Sequence, residues 1–553
     1  MRPVQWAGRA WRARSVSGET MDRLTVATMF RKNVVDHADK PMFRIDDRTV
    51  TWAGHHARAC QVAQALRAEG VVPADRVAFL DRNGLEYFEV LFGGALCGAV
   101  NVAVNWRLSP REMAAVIDDA RARLLVVHEE FLPCLAGMDS GLPSVTRVVV
   151  MGDAKAGADA GGASDLARRV GYHDWLADRP AHDPGHRGAL GDVAMQLYTS
   201  GTTGLPKGVM LSNSNMATML ERGAGDAFEI TAEVVSLVAM PLFHIGGSGW
   251  ALCGMSRGGT SVLLRDMDPA ELLRLVASEE ITHAFLVPAV LMALLATPQV
   301  TETDLSSLDT IFYGASPIGE EVLVRCLEVF GCRFAQVYGM TETTGAIVRL
   351  AAEDHDPKGP RRHLLRAAGR PLPGIELKVV EPDSGEAVPD RTVGEVVTRS
   401  AFNMVGYWDQ PDETAATISS DGWLRTGDAG YLDDEGFLYL HDRIKDLIVS
   451  GGENIYPAEV ENVLLGVDGV ADAAVIGVPD DRWGETVKAI VVTAPGADVT
   501  ADDVVASCRA GLAHYKCPTS VDFVETLPRN PSGKILKRQL REPYWQGQER
   551  RIR

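Results

Sequence analysis

Short runs of apolar residues alternate with amphipathic stretches through most of this chain, and that alternation limits the fold more than any other feature. Arg76-Val-Ala-Phe-Leu80, Arg123-Leu-Leu-Val-Val127 and Arg147-Val-Val-Val-Met151 read as strands, and Leu85 to Val100 reads as a helix with small residues on one face. Strands buried on both faces need helical crossovers between them, so the pattern predicts an α/β fold with largely parallel sheets. The 553 residues exceed what one hydrophobic core organises, so at least two domains are expected. A β-rich stretch starts near Ile375, with turn signals at Asp383-Ser-Gly385, Asp421-Gly422 and Asp434-Glu-Gly436. The pattern changes again after Asp442-Arg-Ile-Lys-Asp446, which leaves a segment of ordinary domain size. The expected division is a disordered leader over 1–20, a large N-terminal domain of α/β sheets with a β-rich subdomain over 21–441, and a small α+β C-terminal domain over 442–553.

Charge and composition remove several function classes. The net charge of -19 opposes the basic field that nonspecific nucleic-acid binding requires, so no nucleic acid is expected as a partner. Eight cysteines lie scattered through apolar stretches without a Cys-x-x-Cys pair, which fits reduced core thiols and a cytoplasmic setting and gives little support to zinc. The longest apolar candidate for a membrane span, Leu91 to Trp106, is short and interrupted by glycines and Asn101. Arg2, Arg9, Arg12 and Arg14 precede the first acid, Glu19, without an apolar core for secretion. That favours a leader or an upstream start with Met21 as the true one. Ala154 to Asp165, mostly Ala, Gly and Asp, reads as an exposed loop.

The densest chemistry lies in Tyr198-Thr-Ser-Gly-Thr-Thr-Gly-Leu-Pro-Lys-Gly208, after the strand-like Val193-Ala-Met-Gln-Leu197. Thr199, Ser200, Thr202 and Thr203 offer hydroxyls, Gly201 and Gly204 let backbone N–H groups approach a polyphosphate, and Lys207 adds a point charge. A P-loop NTPase is excluded because that motif needs Gly before the lysine and Ser or Thr after it; here Pro206 precedes and Gly208 follows.

At this loop the chain resembles the adenylate-forming superfamily of acyl-CoA synthetases, luciferases and nonribosomal adenylation domains, and the resemblance runs from about Thr25 to Arg541. Further motifs follow. In Tyr338-Gly-Met-Thr-Glu-Thr-Thr344 the resemblance implies that Thr341 contacts phosphate and that Glu342, with Thr199, holds magnesium. It places Gly314-Ala-Ser316 at the adenine, with Tyr338 and Gly339 against the base, and Asp428 of Trp423-Leu-Arg-Thr-Gly-Asp428 on the ribose diol. His244 of Pro241-Leu-Phe-His-Ile-Gly-Gly247 then lies near the acyl carboxylate, and Gly246, Gly247 and Gly249 leave room for an acyl group. The resemblance further implies that Arg443 faces the nucleotide, that Lys445 is the pivot of a mobile C-terminal domain, and that Gly451 and Gly452 flank the pantetheine arm of CoA. Lys534, in Arg529-Asn-Pro-Ser-Gly-Lys534, matches the lysine that supports adenylation. Arg529, Lys537, Arg538 and Arg541 surround it, and Lys537 to Arg541 reads as a solvated helix face.

What the resemblance implies is an ATP-dependent acid–CoA ligase, using ATP, Mg2+ and coenzyme A on a small carboxylic acid, with a medium- or long-chain fatty acid favoured and a homodimer left open. Aryl or steroid-derived acids, transfer to a carrier protein, and a nucleotide sensor without turnover are the competing readings.

Overall fold

The computed structural model describes residues 24–136, 142–152, 169–199, 206–443, 446–450, 453–480, 482–529 and 534–545. The leader over 1–20 and the loop from Ala154 to Asp165 lie outside the described residues.

Two large sheets form the body. In the first, the strands Val235–Val238, His283–Leu286, Thr310–Gly314 and Arg333–Met340 run parallel side by side, and antiparallel strands close the edge at Gly345–Leu350 and Arg370–Pro371. In the second, Arg76–Leu80 pairs in parallel with Val100–Ala103 and Leu124–His128, and Lys207–Ser212 folds back antiparallel on Val193–Thr199. The α/β class with parallel sheet centres therefore holds, and the antiparallel pairs sit at the margins. One shared hydrophobic core joins these layers, from Phe30 and Trp52 through Phe88 and Phe92 to Phe312 and Phe334.

The expected helix over 85–100 is shorter. It runs Leu85–Cys97 and ends at Gly98, whose φ of 86° is the left-handed cap that glycine adopts without a Cβ penalty. Val100 instead opens the strand Val100–Ala103, buried at every position.

The β-rich stretch forms a four-stranded antiparallel sheet of Glu376–Val380, Gly394–Arg399, Leu424–Leu432 and Leu438–Arg443. The smaller C-terminal domain has its own five-stranded sheet and a separate core that includes Ile448, Val460, Leu464, Val475, Val487 and Val504. Pro457 opens its first helix, Pro457–Leu464, because its fixed φ suits the first turn, where no N–H partner is needed. The helix Lys537–Arg541 is only in part the solvated face that its charge pattern predicts: Arg538 and Gln539 are exposed, but Lys537 and Arg541 are not. Lys537 pairs with Glu461 at 3.0 Å and Arg541 with Asp446 at 2.8 Å, with these side chains 11–15% exposed. Arg529 likewise binds Asp472 at 2.6 Å, so these cations brace the small domain. No helix among the described residues is long and apolar enough to cross a membrane. All eight cysteines are free thiols.

Candidate active site

Ligands in open α/β sheets bind beyond the carboxyl ends of the parallel strands. In the first sheet those ends carry three of the sequence motifs, at Pro241–Gly247, Gly314–Ser316 and Tyr338–Thr344. After Thr310–Gly314 the chain turns through Ala315, at φ 66°, a strained left-handed position for a residue with a Cβ. Gly314 pairs with Val337 on the neighbouring strand, where a side chain would meet the Val337 carbonyl. This absence of a side chain lets the two strands that lead into Ala315–Ser316 and into Tyr338–Thr341 pair closely. Tyr338 donates its phenol proton to Asp428 Oδ2 at 2.6 Å. The adenine and ribose motifs, ninety residues apart, are thus joined by one hydrogen bond. Asp428 itself is buried, 9% exposed, and lies opposite Arg443 in the antiparallel ladder.

Glu342 sits in a single 3-10 turn, Thr341–Thr343, and is 6% exposed. A buried carboxylate is costly unless charge or hydrogen bonds compensate it. Here Tyr407 donates its hydroxyl at 3.0 Å and Thr199 at 3.4 Å, both to Oε1, and no ion pair reaches Glu342 among the described residues. A carboxylate and a hydroxyl converging in this way form a hard oxygen donor set that fits Mg2+. Lys207 pairs with Glu413 and lies 5.2 Å from the centre of the Tyr407 ring.

His244 precedes the helix Ile245–Met255. Its Nε2 is buried and has no hydrogen-bond partner among the described residues. Burial, followed by the positive charges of Lys534 and Arg107, pushes its pKa down to about 3, so the imidazole is neutral at pH 7. The charge of Lys534, from the small domain, is thus felt at the His244 motif of the large one.

The structure therefore joins Thr199 to Glu342 and Tyr338 to Asp428, sets Lys207 opposite Thr199 and Gly314 beside Val337, and brings the charge of Lys534 to bear on His244. Ser200, Gly201, Thr202, Thr203, Gly204, Lys445, Gly451 and Gly452 lie outside the described residues. Arg443 is described in its backbone alone, and the strands flanking the two glycines pair Ser450 with Glu453. Two groups at the site escaped sequence reasoning, Tyr407 and Glu413. The strand Gly406–Tyr407 pairs with Lys207–Ser212, a contact between segments two hundred residues apart that local pattern does not encode. The signal available was slight: aromatic Tyr407 follows a glycine, and Glu413 falls in the first turn of Pro411–Thr417.

Comparison with known proteins fits this geometry. The family model described as AMP-binding enzyme matches residues 30–408, and the AMP-binding enzyme C-terminal domain matches residues 459–534. The chain is 41% identical over 515 residues to the fatty acid–[acyl-carrier-protein] ligase ScoC of Streptomyces coeruleorubidus, covering 93% of this chain and 95% of that protein. It is 38% identical over 499 residues to a feruloyl-CoA synthase of an Amycolatopsis species, covering 90% and 94%. The crystal structure of the anthranilate CoA ligase AuaEII in complex with anthranoyl-AMP superposes with a TM-score of 0.85 at 26% identity, covering 95% of this chain and 98% of that one.

Proposed function

The chain belongs to the AMP-binding enzyme family, its relatives include thioester-forming ligases of fatty and aryl acids, and from that premise we propose that it is an acid–CoA ligase. The acid we propose is apolar and of the fatty class, of medium or long chain. The observation that carries the reading is that motif residues far apart in sequence meet, Thr199 on buried Glu342 and Tyr338 on Asp428, with the positive charge of Lys534 felt at His244.

In the first half-reaction a carboxylate oxygen attacks the α-phosphorus of ATP, and pyrophosphate leaves. Two anions must approach, and negative charge builds on the departing oxygens, so preorganised cations lower the barrier. Lys534 supplies one beside the carboxylate. Lys207 and the hydroxyls of 199–203 grip the phosphates, and Asp428 accepts hydrogen bonds from the ribose diol. Neutral His244 directs its buried Nε2 at the reacting carboxyl without adding a charge there. Glu342 and Thr199 would hold Mg2+, which would neutralise the phosphate oxygens. In the second half-reaction the CoA sulfur attacks the acyl carbon, AMP leaves, and the thiol proton passes to solvent. Lys534 has no task in that step, and rotation about the Lys445 hinge would withdraw it and bring Gly451 and Gly452 to the pantetheine arm.

One relative's name supports a second reading, transfer to a carrier protein. The test is product analysis with ATP and a panel of acids, offering CoA and a phosphopantetheinylated carrier protein in separate reactions. Acyl-CoA with stoichiometric AMP supports the first reading. Acylated carrier with no acyl-CoA replaces it by the second, and ADP in place of AMP removes both.

A further inference from the structure

Lys207 is a buried cation, its side chain 9% exposed. A buried ammonium is costly unless an anion pairs with it. That anion is Glu413, whose Oε1 accepts a hydrogen bond from Lys207 Nζ. The two lie 206 residues apart in sequence. They meet because the strand Gly406–Tyr407 pairs with the strand that Lys207 opens. The Tyr407 backbone N–H donates to the Thr414 hydroxyl at 2.9 Å, which ties the helix Pro411–Thr417 to that strand and brings Glu413, in its first turn, to the lysine.

The partners are held unequally. The Lys207 backbone pairs with Thr199, the carbonyl of Gly208 beside it accepts from the Trp408 N–H at 2.7 Å, and its ammonium lies 5.2 Å from the centre of the Tyr407 ring. The Glu413 side chain is 37% exposed, and no residue of its helix is buried. A carboxylate so close to water exchanges its partner for solvent at little cost, so the pair opens from the glutamate side. Glu413 also adds negative charge to the site. The Tyr407 hydroxyl donates to Glu342 at 3.0 Å. Burial, then the charge of Glu342, then that of Glu413, raises the pKa of this hydroxyl, so it feels both carboxylates. A polyphosphate arriving there meets two like charges and an ammonium that already has a partner.

Resting on the reading of Lys207 as a phosphate-binding cation, we propose that Glu413 is an exchangeable counter-ion, which competes with the pyrophosphate portion of ATP for Lys207 and weakens the hold on both ATP and departing pyrophosphate. No covalent bond changes. The lysine's flexible stem presents its ammonium to phosphate while Glu413 turns to water, and the pair closes again when pyrophosphate leaves. Binding the phosphates equally tightly before and after the chemical step adds nothing to its rate and slows product release. Glu413 touches none of the reacting atoms, so it is a positioning residue that acts through Lys207.

Calorimetry on the full chain, with magnesium present and acid and CoA absent, measures the affinities for ATP, pyrophosphate and AMP. In Glu413→Gln, which keeps the shape and removes the charge, ATP and pyrophosphate should bind about fivefold to tenfold more tightly, the range for a pair that solvent partly screens. AMP lacks the departing phosphates and should bind as to the wild type. The melting temperature without nucleotide should fall, because the buried ammonium has lost its anion, and its rise on adding ATP should grow. In a Lys207→Ala background the same substitution should tighten ATP and pyrophosphate less, and equal tightening there overturns the inference. Weaker or unchanged binding of both ligands by folded Glu413→Gln overturns it and leaves the ligase reading standing. Equal tightening of AMP overturns it too. If Glu413→Gln fails to fold, Glu413→Asp, which draws the charge back by one methylene, carries the test: a smaller tightening of ATP and pyrophosphate over AMP supports the inference, and none overturns it. A wild type that binds neither ATP nor pyrophosphate removes the phosphate-binding reading itself, and the inference with it.

Discussion

Replacing Lys534 with alanine isolates the part of the mechanism that depends on the small domain. An ammonium about 4 Å from a phosphate or carboxylate oxygen is worth about 4 kcal/mol at the effective dielectric of about 20 that suits sites near a protein surface. Loss of one preorganised electrostatic donor costs about 2.7–4 kcal/mol in measured enzymes. Lys534 is half-buried, so solvent screens part of its field, and the lower end applies. The expected loss is about 3 kcal/mol, or roughly a hundredfold, in the rate of acyl-AMP formation. Pyrophosphate release without CoA measures that step. Thioester formation from synthetic acyl-AMP measures the other, and it should change by less than about threefold. An independent readout comes from His244. Lys534 is one cause of its low pKa, so the imidazole's pKa should rise in the variant, which histidine NMR titration detects. Equal loss in both half-reactions, or an unmoved His244 titration, would refute the assignment.

Three further outcomes follow from the geometry. Asp428→Asn keeps the shape and removes the charge, so ATP should bind about tenfold to a hundredfold more weakly by calorimetry, since hydrogen bonds to charged groups are worth about 1.5–3 kcal/mol; unchanged affinity would remove Asp428 from the ribose. Tyr407→Phe leaves buried Glu342 with Thr199 as its remaining hydroxyl donor and should lower stability by about 1–3 kcal/mol in urea unfolding without nucleotide; a midpoint equal to the wild type would mean the bond contributes nothing. Burial drives the pKa of fully buried His55 down to about 3. The unfolded chain then takes up the proton first as pH falls, so stability is full above pH 6.5 and declines between pH 6.5 and 3, by on the order of 5 kcal/mol at most. His55→Leu should flatten urea midpoints over that window, and an unchanged slope would assign the acid sensitivity to other groups.

Local pattern carried the fold a long way. Arg76–Leu80 and Arg147–Met151 form strands with the bounds their apolar runs mark, and Pro457 starts a helix where its fixed φ predicts one. What failed was the end of the helix at Cys97: the apolar run continues through Val100, and a single left-handed glycine, not a change of composition, ends it. The site was legible where motifs are contiguous, as at Tyr338–Thr341 and Trp423–Asp428. It was illegible where pairing joins distant segments. Tyr407 reaches Glu342 because the strand Gly406–Tyr407 docks on Lys207–Ser212, and the rings packed on Trp250, those of Phe228, Phe285 and Phe312, arrive from three other segments. Charge pattern misled at Lys537 and Arg541, whose partners Glu461 and Asp446 are remote in sequence.

Isotope exchange between ATP and labelled pyrophosphate, with a carboxylic acid present and CoA absent, tests the central claim most directly. Reversible attack of the acid on the α-phosphorus predicts acid-dependent return of label into ATP, lost in Lys534→Ala. Exchange that occurs without acid, or that needs CoA before any label returns, would contradict it.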